Sequence, residues 1–454
     1  MGGIHVKLLG LSVERLYGTY NYEVSFNHDV TFLYGTNGCG KTTILNITEA
    51  IITGQLFKLF SYSFKRIELR YSKKSTSDAQ RIAITQEKEF LSVSFGENTY
   101  SINQIDIADG RRSSERDNLE YINRYFHKYP FLEDIKKIFN YVYLPLNRTH
   151  TSYESFERSY YQYNRFSDSP VYDDLYMGST SIQDRAVAEV EVLIARQYSR
   201  INAALNKIND AFRNDVIQSA LSVQADVRTE DFIETLTKDN KAFEDLSDTK
   251  SAYLSIIDSL SLNSIEKEKY EVFFDNMILD YRKLKSGNAE NLDIFNFYRK
   301  YCEVAKIKNI VKIAHETEDW KSKVRKPIEL FIDTMNSFIS NSEDGKAIIL
   351  DPVGRVYFIT KHSNQKHRIH DLSSGEKQLF IFFANLIFKV KQDSSGIFVV
   401  DEPELSLHLD WQRIFVEKTM EINPNIQLIF ATHAPEIIGR HRNKMFKLVK
   451  EYEK

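Results

Sequence analysis

The residues Gly35-Thr-Asn-Gly-Cys-Gly-Lys-Thr42 have the spacing GxxxxGK followed by Thr, that of a loop built to cradle phosphate. An apolar run, Val30-Thr-Phe-Leu-Tyr34, leads into it, and the stretch from Lys41 to Ile52 reads as a helix. Strand, glycine loop and helix is the context that this motif requires, so the chain must build a nucleotide-binding α/β core. Glycines at 35, 38 and 40 let backbone N–H groups converge on a phosphate at a helix N-terminus, whose dipole favours anions. Lys41 would reach the β- and γ-phosphates, Thr42 would offer its hydroxyl to Mg2+, and Asn37, Cys39 and Thr43 complete the expected binding set.

Three further stretches lie far along the chain. Phe398-Val-Val-Asp-Glu-Pro403 reads as a buried strand that delivers Asp401 and Glu402 at its C-terminal tip, where ligands of open α/β sheets gather. Asp401 suits Mg2+, and Glu402 suits the orientation or deprotonation of an attacking water. Leu372-Ser-Ser-Gly-Glu376 opens an expected helix, Glu376 to Phe388. Ser373, Ser374, Gly375 and Glu376 there offer hydroxyl and backbone N–H groups to an anion. A plain capping box, Ser373-x-x-Glu376, would account for the Ser and Glu alone. A nucleotide already gripped by residues 35–42 needs no second clasp from its own chain, so this one is expected to serve a second copy of the protein. Ala431-Thr-His433 completes the set.

Together these residues resemble the ABC-type ATPases, in the branch that holds SMC, Rad-type repair and OLD-family proteins. The resemblance covers residues 1–150 and 345–454. It implies ATP and Mg2+ as cofactors and a head-to-tail dimer that sandwiches two ATP molecules. It matches Gly35–Thr42 to Walker A, Leu372–Glu376 to the LSGGQ signature, and Asp401 and Glu402 to Walker B. Leu405–Leu409 correspond to the D-loop, and His433 to the switch histidine. Two residues depart from the pattern: Ser374 replaces the second signature glycine and Glu376 the glutamine. Asn147 and Arg148 resemble the segment that carries the Q-loop in OLD-like ATPases. OLD nucleases add a TOPRIM domain after the switch histidine, and none is expected here, since the chain stops at Lys454. Size and layout are similar to the stand-alone ATPases of bacterial anti-phage systems, such as PARIS and Septu, in which a separate nuclease accompanies the ATPase.

The remaining sequence sets the organisation. Strand patterns occur at Ile4–Leu9, Tyr22–Phe26, Arg66–Tyr71, Phe90–Phe95 and Val142–Pro145, and residues 151–180 read as a loop. Val187, Val190, Ile194, Tyr198, Ile201, Leu205, Ile208 and Phe212 form a heptad seam, which predicts a helix of about 40 residues and about 60 Å. Phe273, Met277, Tyr281 and Leu284 share a second helical face that ends near Gly287. Val324, Ile328, Phe331, Met335 and Phe338 share a third. Strands resume at Ala347–Leu350 and Val356–Ile359. The expected fold is therefore α/β, an ABC-type (P-loop) ATPase head formed by the N- and C-terminal halves with an inserted α-helical or short coiled-coil domain. The expected divisions are 1–150, 151–345 and 346–454.

Composition narrows the partners. A net charge of −3 is not that of a protein that coats nucleic acid. Two cysteines, one inside the phosphate loop, fit a reducing cytosol without disulfides. The first residues show no secretory leader and no apolar run is long enough to span a membrane, so a cytoplasmic protein without membrane contact is expected. The leading reading is a slow, regulated ATPase that senses a phage protein trigger and acts as scaffold for a separately encoded nuclease, assembled as a dimer or a larger homo-oligomer. The alternative is a recombination or repair ATPase that clamps DNA, with Lys65, Arg66, Arg70, Lys73 and Lys74, or Arg440, Arg442, Lys444 and Lys447, as its basic face. A module that holds ATP without turning it over fits poorly with Glu402.

Overall fold

The protein is described by a computed structural model, which covers residues 6–73, 76–104, 124–139, 182–221, 232, 241–259, 264–286, 290–340, 345–389, 396–403 and 407–452. The expected strand at 142–145, the loop at 151–180, Asn147, Arg148, Lys74, Gly287 and Leu405 lie outside these residues. The chain divides into two compact units, one made of residues up to Tyr198 together with Pro327–Lys454, the other of Ser199–Lys326.

In the first unit, strands β1 (Val6–Leu16), β2 (Tyr20–Ser25) and β3 (Val30–Tyr34) lead to helix α1 (Lys41–Ile52). Strands β4 (Arg66–Lys73), β5 (Thr76–Gln86), β6 (Phe90–Phe95) and β7 (Asn98–Asn103) follow, then helix α2 (Phe131–Ile138). Helix α3 (Ile182–Leu221) begins here and continues into the second unit. The second unit holds α4 (Lys241–Ser259), α5 (Ser264–Lys285) and most of α6 (Asn291–Ile339). After α6 come β8 (Lys346–Leu350), β9 (Val356–Thr360), β10 (Ser363–Arg368) and helix α7 (Ser374–Lys389). The chain closes through β11 (Ile397–Asp401), α8 (Leu409–Ile422), β12 (Gln427–Ala431), the short α9 (Pro435–Ile438), β13 (Met445–Lys447) and β14 (Glu451–Tyr452).

Four parallel strands in the order β11-β12-β3-β13 form the central sheet. Its strands come from both ends of the chain, so neither end can fold this layer alone. β3, β11 and β12 are near-continuous apolar runs, as strands covered on both faces must be. Beside it, seven strands in the order β14-β2-β1-β4-β5-β6-β7 form a sheet whose paired strands are all antiparallel. Alternation along β4 and β6 buries one face of that sheet against α1, α2 and the 3-10 turn Leu56–Ser61.

Gln427, fully buried, ties the two sheets together. Its side-chain amide accepts the Leu8 N–H at 2.8 Å and donates to the carbonyls of Leu8 (2.8 Å) and Asn27 (2.7 Å). Lys7 adds bonds to the carbonyls of Asn425 and Ile426 at 2.6 and 2.9 Å, and burial lowers its pKa to about 8.

The second unit has its own core of Phe232, Leu246, Phe274, Met277, Tyr281, Phe297, Val304 and Ile307. Within it α3 and α6 run antiparallel. Ser219 accepts from Asn309 at 2.9 Å, and Phe212 meets the Lys321 ammonium at 6.0 Å. α6 is one helix of 49 residues that runs through Pro327, whereas only its last third has a clear sequence period.

Candidate nucleotide site

β3 ends at Tyr34 and the glycine loop begins. Gly38 and Gly40 have φ of 78° and 105°, where a side chain would be strained. At Gly40 the space is closed as well, because an added methyl would lie 2.6 Å from the Tyr22 hydroxyl. That hydroxyl donates to the Cys39 carbonyl at 3.0 Å, so Tyr22 on β2 supports the loop from beneath. Burial raises the Tyr22 pKa to about 12, which keeps it a donor at any ordinary pH.

The first turn of α1 has no acidic residue and Gly40 supplies no side-chain cap, so the helix N-terminus is left for an external anion. Thr36, Asn37, Gly38 and Thr42 are exposed, Gly35, Gly40 and Thr43 are half-buried, and Cys39 and Lys41 are buried. The Lys41 ammonium donates to the Gly35 carbonyl at 3.1 Å, folded across the loop it would serve.

The strand order brings the other motifs to the same edge. Asp401 stands opposite Ala431 in the β11–β12 ladder, and Ala431 opposite Leu33 in the β12–β3 ladder. Each tip is stitched to the next: Glu402 N–H to the Ala431 carbonyl at 2.8 Å, and Thr432 N–H to the Leu33 carbonyl at 3.2 Å. The glycine loop, the acidic pair Asp401–Glu402 and the exposed His433 thus all lie at the C-terminal edge of one parallel sheet. Glu402 has φ 47°, a left-handed conformation uncommon for a residue with a side chain. Among the described residues no three His, Cys, Asp or Glu side chains are grouped to hold a metal ion. One hydroxyl and one carboxylate, Thr42 and Asp401, are the kind of oxygen donors that Mg2+ takes alongside phosphate and water.

The serine turn is built differently. Ser373 and Ser374 are exposed, while Gly375 and Glu376 are buried. The capping box is present: Ser373 N–H donates to Glu376 Oε2 at 2.7 Å, and Glu376 N–H reaches Ser373 Oγ at 3.4 Å. Glu376 therefore points inward. The turn is docked on the start of α3, with Gln183 donating to the Ser374 carbonyl at 2.8 Å and Lys377 to Asp184 at 2.9 Å. Just upstream, His370 lies between Asp184 (3.6 Å) and Glu191 (3.4 Å), and the Glu191 carboxylate raises its pKa. In the D-loop region, Leu407 is buried and His408 and Leu409 are exposed.

Tyr22, Lys346, Asp184 and His370 stand in no motif. Tyr22 acts through strand register, Lys346 from β8 through Glu376, and Asp184 and His370 through contacts at the start of α3, so spacing in sequence carries no sign of them. The basic clusters are largely balanced. Lys65 pairs with Glu14 at 3.8 Å, Arg66 with Glu68 at 2.8 Å, Arg70 with Glu23, Arg440 with Glu417 at 2.9 Å and Lys444 with Asp29 at 2.9 Å.

A parallel sheet with a glycine loop, an acidic strand tip and a histidine at one edge defines a P-loop ATPase fold with inserted helices. The chain matches the family model described as AAA ATPase domain (AAA_15) over residues 17–438, and it belongs to that family. Two curated relatives are similar over short stretches. The Retron Vc95 probable ATPase of Vibrio cholerae serotype O1 biovar El Tor is 30% identical over 94 residues, 19% of this chain and 18% of the relative. The Retron Ec83 probable ATPase of Escherichia coli is 27% identical over 105 residues, 21% of this chain and 19% of the relative. The chain thus aligns with about a fifth of the length of either relative.

Among solved structures, the Smc head domain with an extended coiled coil from Pyrococcus furiosus, bound to the C-terminal domain of ScpA, covers 99% of this chain and 96% of its own. Its identity is 12% and its TM-score 0.39. The recombination mediator protein RecF covers 100% of both chains at 11% identity and a TM-score of 0.32. The family match and the chain's own geometry carry the assignment.

Proposed function

We propose that the chain hydrolyses ATP in a site shared between two copies of itself, and that it does so as the sensor and scaffold of a defence complex that controls a separate nuclease. The observation that carries the catalytic part is the convergence of β3, β12 and β11 at one sheet edge. Residues 35–43 bind the phosphates through backbone N–H groups, and Lys41 leaves the Gly35 carbonyl for the β- and γ-phosphates. Mg2+ held by Thr42 and Asp401 would neutralise phosphate charge. Glu402 orients and deprotonates the attacking water, and His433 faces the γ-phosphate.

Ser373 and Ser374 are exposed at the start of α7, which supports a clasp offered to a partner's triphosphate. Glu376 serves that clasp from inside. The contacts of Gln183, Asp184 and Glu191 make the start of α3 the element that would sense whether the clasp is engaged. The likeness to two retron probable ATPases supports the defence setting. Ion pairing of Lys65, Arg66, Arg70, Arg440 and Lys444 leaves the DNA-clamping alternative less supported.

The test is Ser373→Arg. ATP binding by the dilute protomer should be spared, while turnover that rises with protein concentration should be lost. Loss of ATP binding by the isolated protomer would show that the turn acts within its own chain. Co-purification of a nuclease, with indifference to DNA at low salt, tests the wider role; salt-sensitive DNA retention would favour the alternative.

A further inference from the structure

Lys346, on β8, belongs to no motif, yet its side chain determines the charge at the start of α7. Its ammonium donates to both carboxylate oxygens of Glu376, each at 3.0 Å, and the same carboxylate accepts the Ser373 N–H at 2.7 Å. The Glu376 side chain is 4% exposed and that of Lys346 is 16% exposed. Phe358, buried on the neighbouring strand, places its ring 5.5 Å from the ammonium.

Two physical consequences follow. A carboxylate sits where the family pattern has a neutral glutamine, within the turn proposed to take a triphosphate. Charges of like sign at short range in a poorly solvated position repel strongly unless one is cancelled. Lys346 supplies the cancelling charge. The three hydrogen bonds on Glu376 also fix the backbone of Ser373, so the position of this exposed serine at the start of α7 is set by a buried contact behind it.

We infer that Lys346 is a positioning residue of the serine turn: it neutralises Glu376 and, through it, orients Ser373 toward the nucleotide of a second protomer. This rests on the shared-site reading above.

The test measures ATP turnover against protein concentration for full-length Lys346→Met, Glu376→Gln and the double variant, with ATP binding by the dilute protomer alongside. Lys346→Met should raise the protein concentration for half-maximal turnover about tenfold or more, while ATP affinity changes less than about twofold. The double variant should return close to wild type, because a neutral glutamine needs no counter-charge and still accepts the Ser373 N–H.

A pair with a purely structural role would lower the thermal midpoint of Lys346→Met and leave the half-maximal concentration unmoved, which overturns the inference. Should Lys346→Met fail to fold, the Glu376→Gln background decides: Lys346→Met must be silent there, and a tenfold loss sinks the claim. Ser373→Arg separates the two levels. If it leaves the concentration dependence intact, the shared-site reading falls. If it abolishes turnover while Lys346→Met has no effect, only the role of Lys346 falls.

Discussion

The Glu402 backbone N–H donates to the Ala431 carbonyl at 2.8 Å while Glu402 itself sits at φ 47°. The bond holds the residue beside the tip of β12 in a conformation that costs on the order of 1–3 kcal/mol. Strain of this kind persists only where the surroundings over-determine it, and here it falls at the sheet edge where the glycine loop lies. Glu402→Gln should therefore slow phosphate release by about 10²–10⁴-fold with ATP affinity nearly unchanged, and ATP-bound assemblies should accumulate. Phosphate release and light scattering check this. Turnover at the normal rate would remove the water-activating role.

Glu402→Gly tests the strain itself. Glycine adopts positive φ freely, so this variant should be inactive yet at least as resistant to heat as the wild type. A fall in thermal midpoint would show that the left-handed backbone carries no cost.

The glycine loop should tolerate nothing at Gly40. Gly40→Ala meets both a positive φ and the Tyr22 hydroxyl, so ATP affinity should fall about tenfold or more. Tyr22→Phe removes only the bond to the Cys39 carbonyl, a loss of about 1 kcal/mol. Titration with a fluorescent ATP analogue separates the two.

Gln427→Leu should destabilise the first unit by about 3 kcal/mol, since it leaves three backbone groups of β1 and the β2–β3 loop without their partner. Chemical denaturation measures this. Near-neutral behaviour would mean that the two sheets hold together by apolar packing alone.

His370 gives a pH dependence with a definite sign. Its folded-state pKa is raised by Glu191 and Asp184, and Lys377 also pairs with Asp184. The stabilisation is fully present below its ordinary value, about 6.5, and fades as pH rises through the raised value. The thermal midpoint of wild type relative to His370→Gln should fall across that window. Parallel curves for the two proteins would refute the ion-pair role.

Local residue chemistry made the strands that meet at the motif-bearing sheet edge readable in advance. β3, β11 and β12 are apolar runs with motif residues at their tips, and α1 spans Lys41–Ile52 as its periodicity requires. The heptad seam from Val187 to Phe212 lies within α3. Less legible were β5, β7, β10, β13 and β14, which are short or polar and owe their strand state to neighbours. The first two-thirds of α6 were also hidden, because its buried face changes partners along its length. The inward turn of Glu376 depends on Lys346, and no local spacing announces a partner on another strand.

Because β12 lies between β3 and β11, two hydrogen-bonded strand spacings separate the phosphate loop from the acidic tip, about 10 Å in all. Main-chain geometry cuts that ruler, whatever apolar side chains the three strands carry. Drift at Val399 or Ile429 can alter packing and heat resistance, but the spacing between the two motif-bearing tips stays constant until the middle strand leaves its ladder.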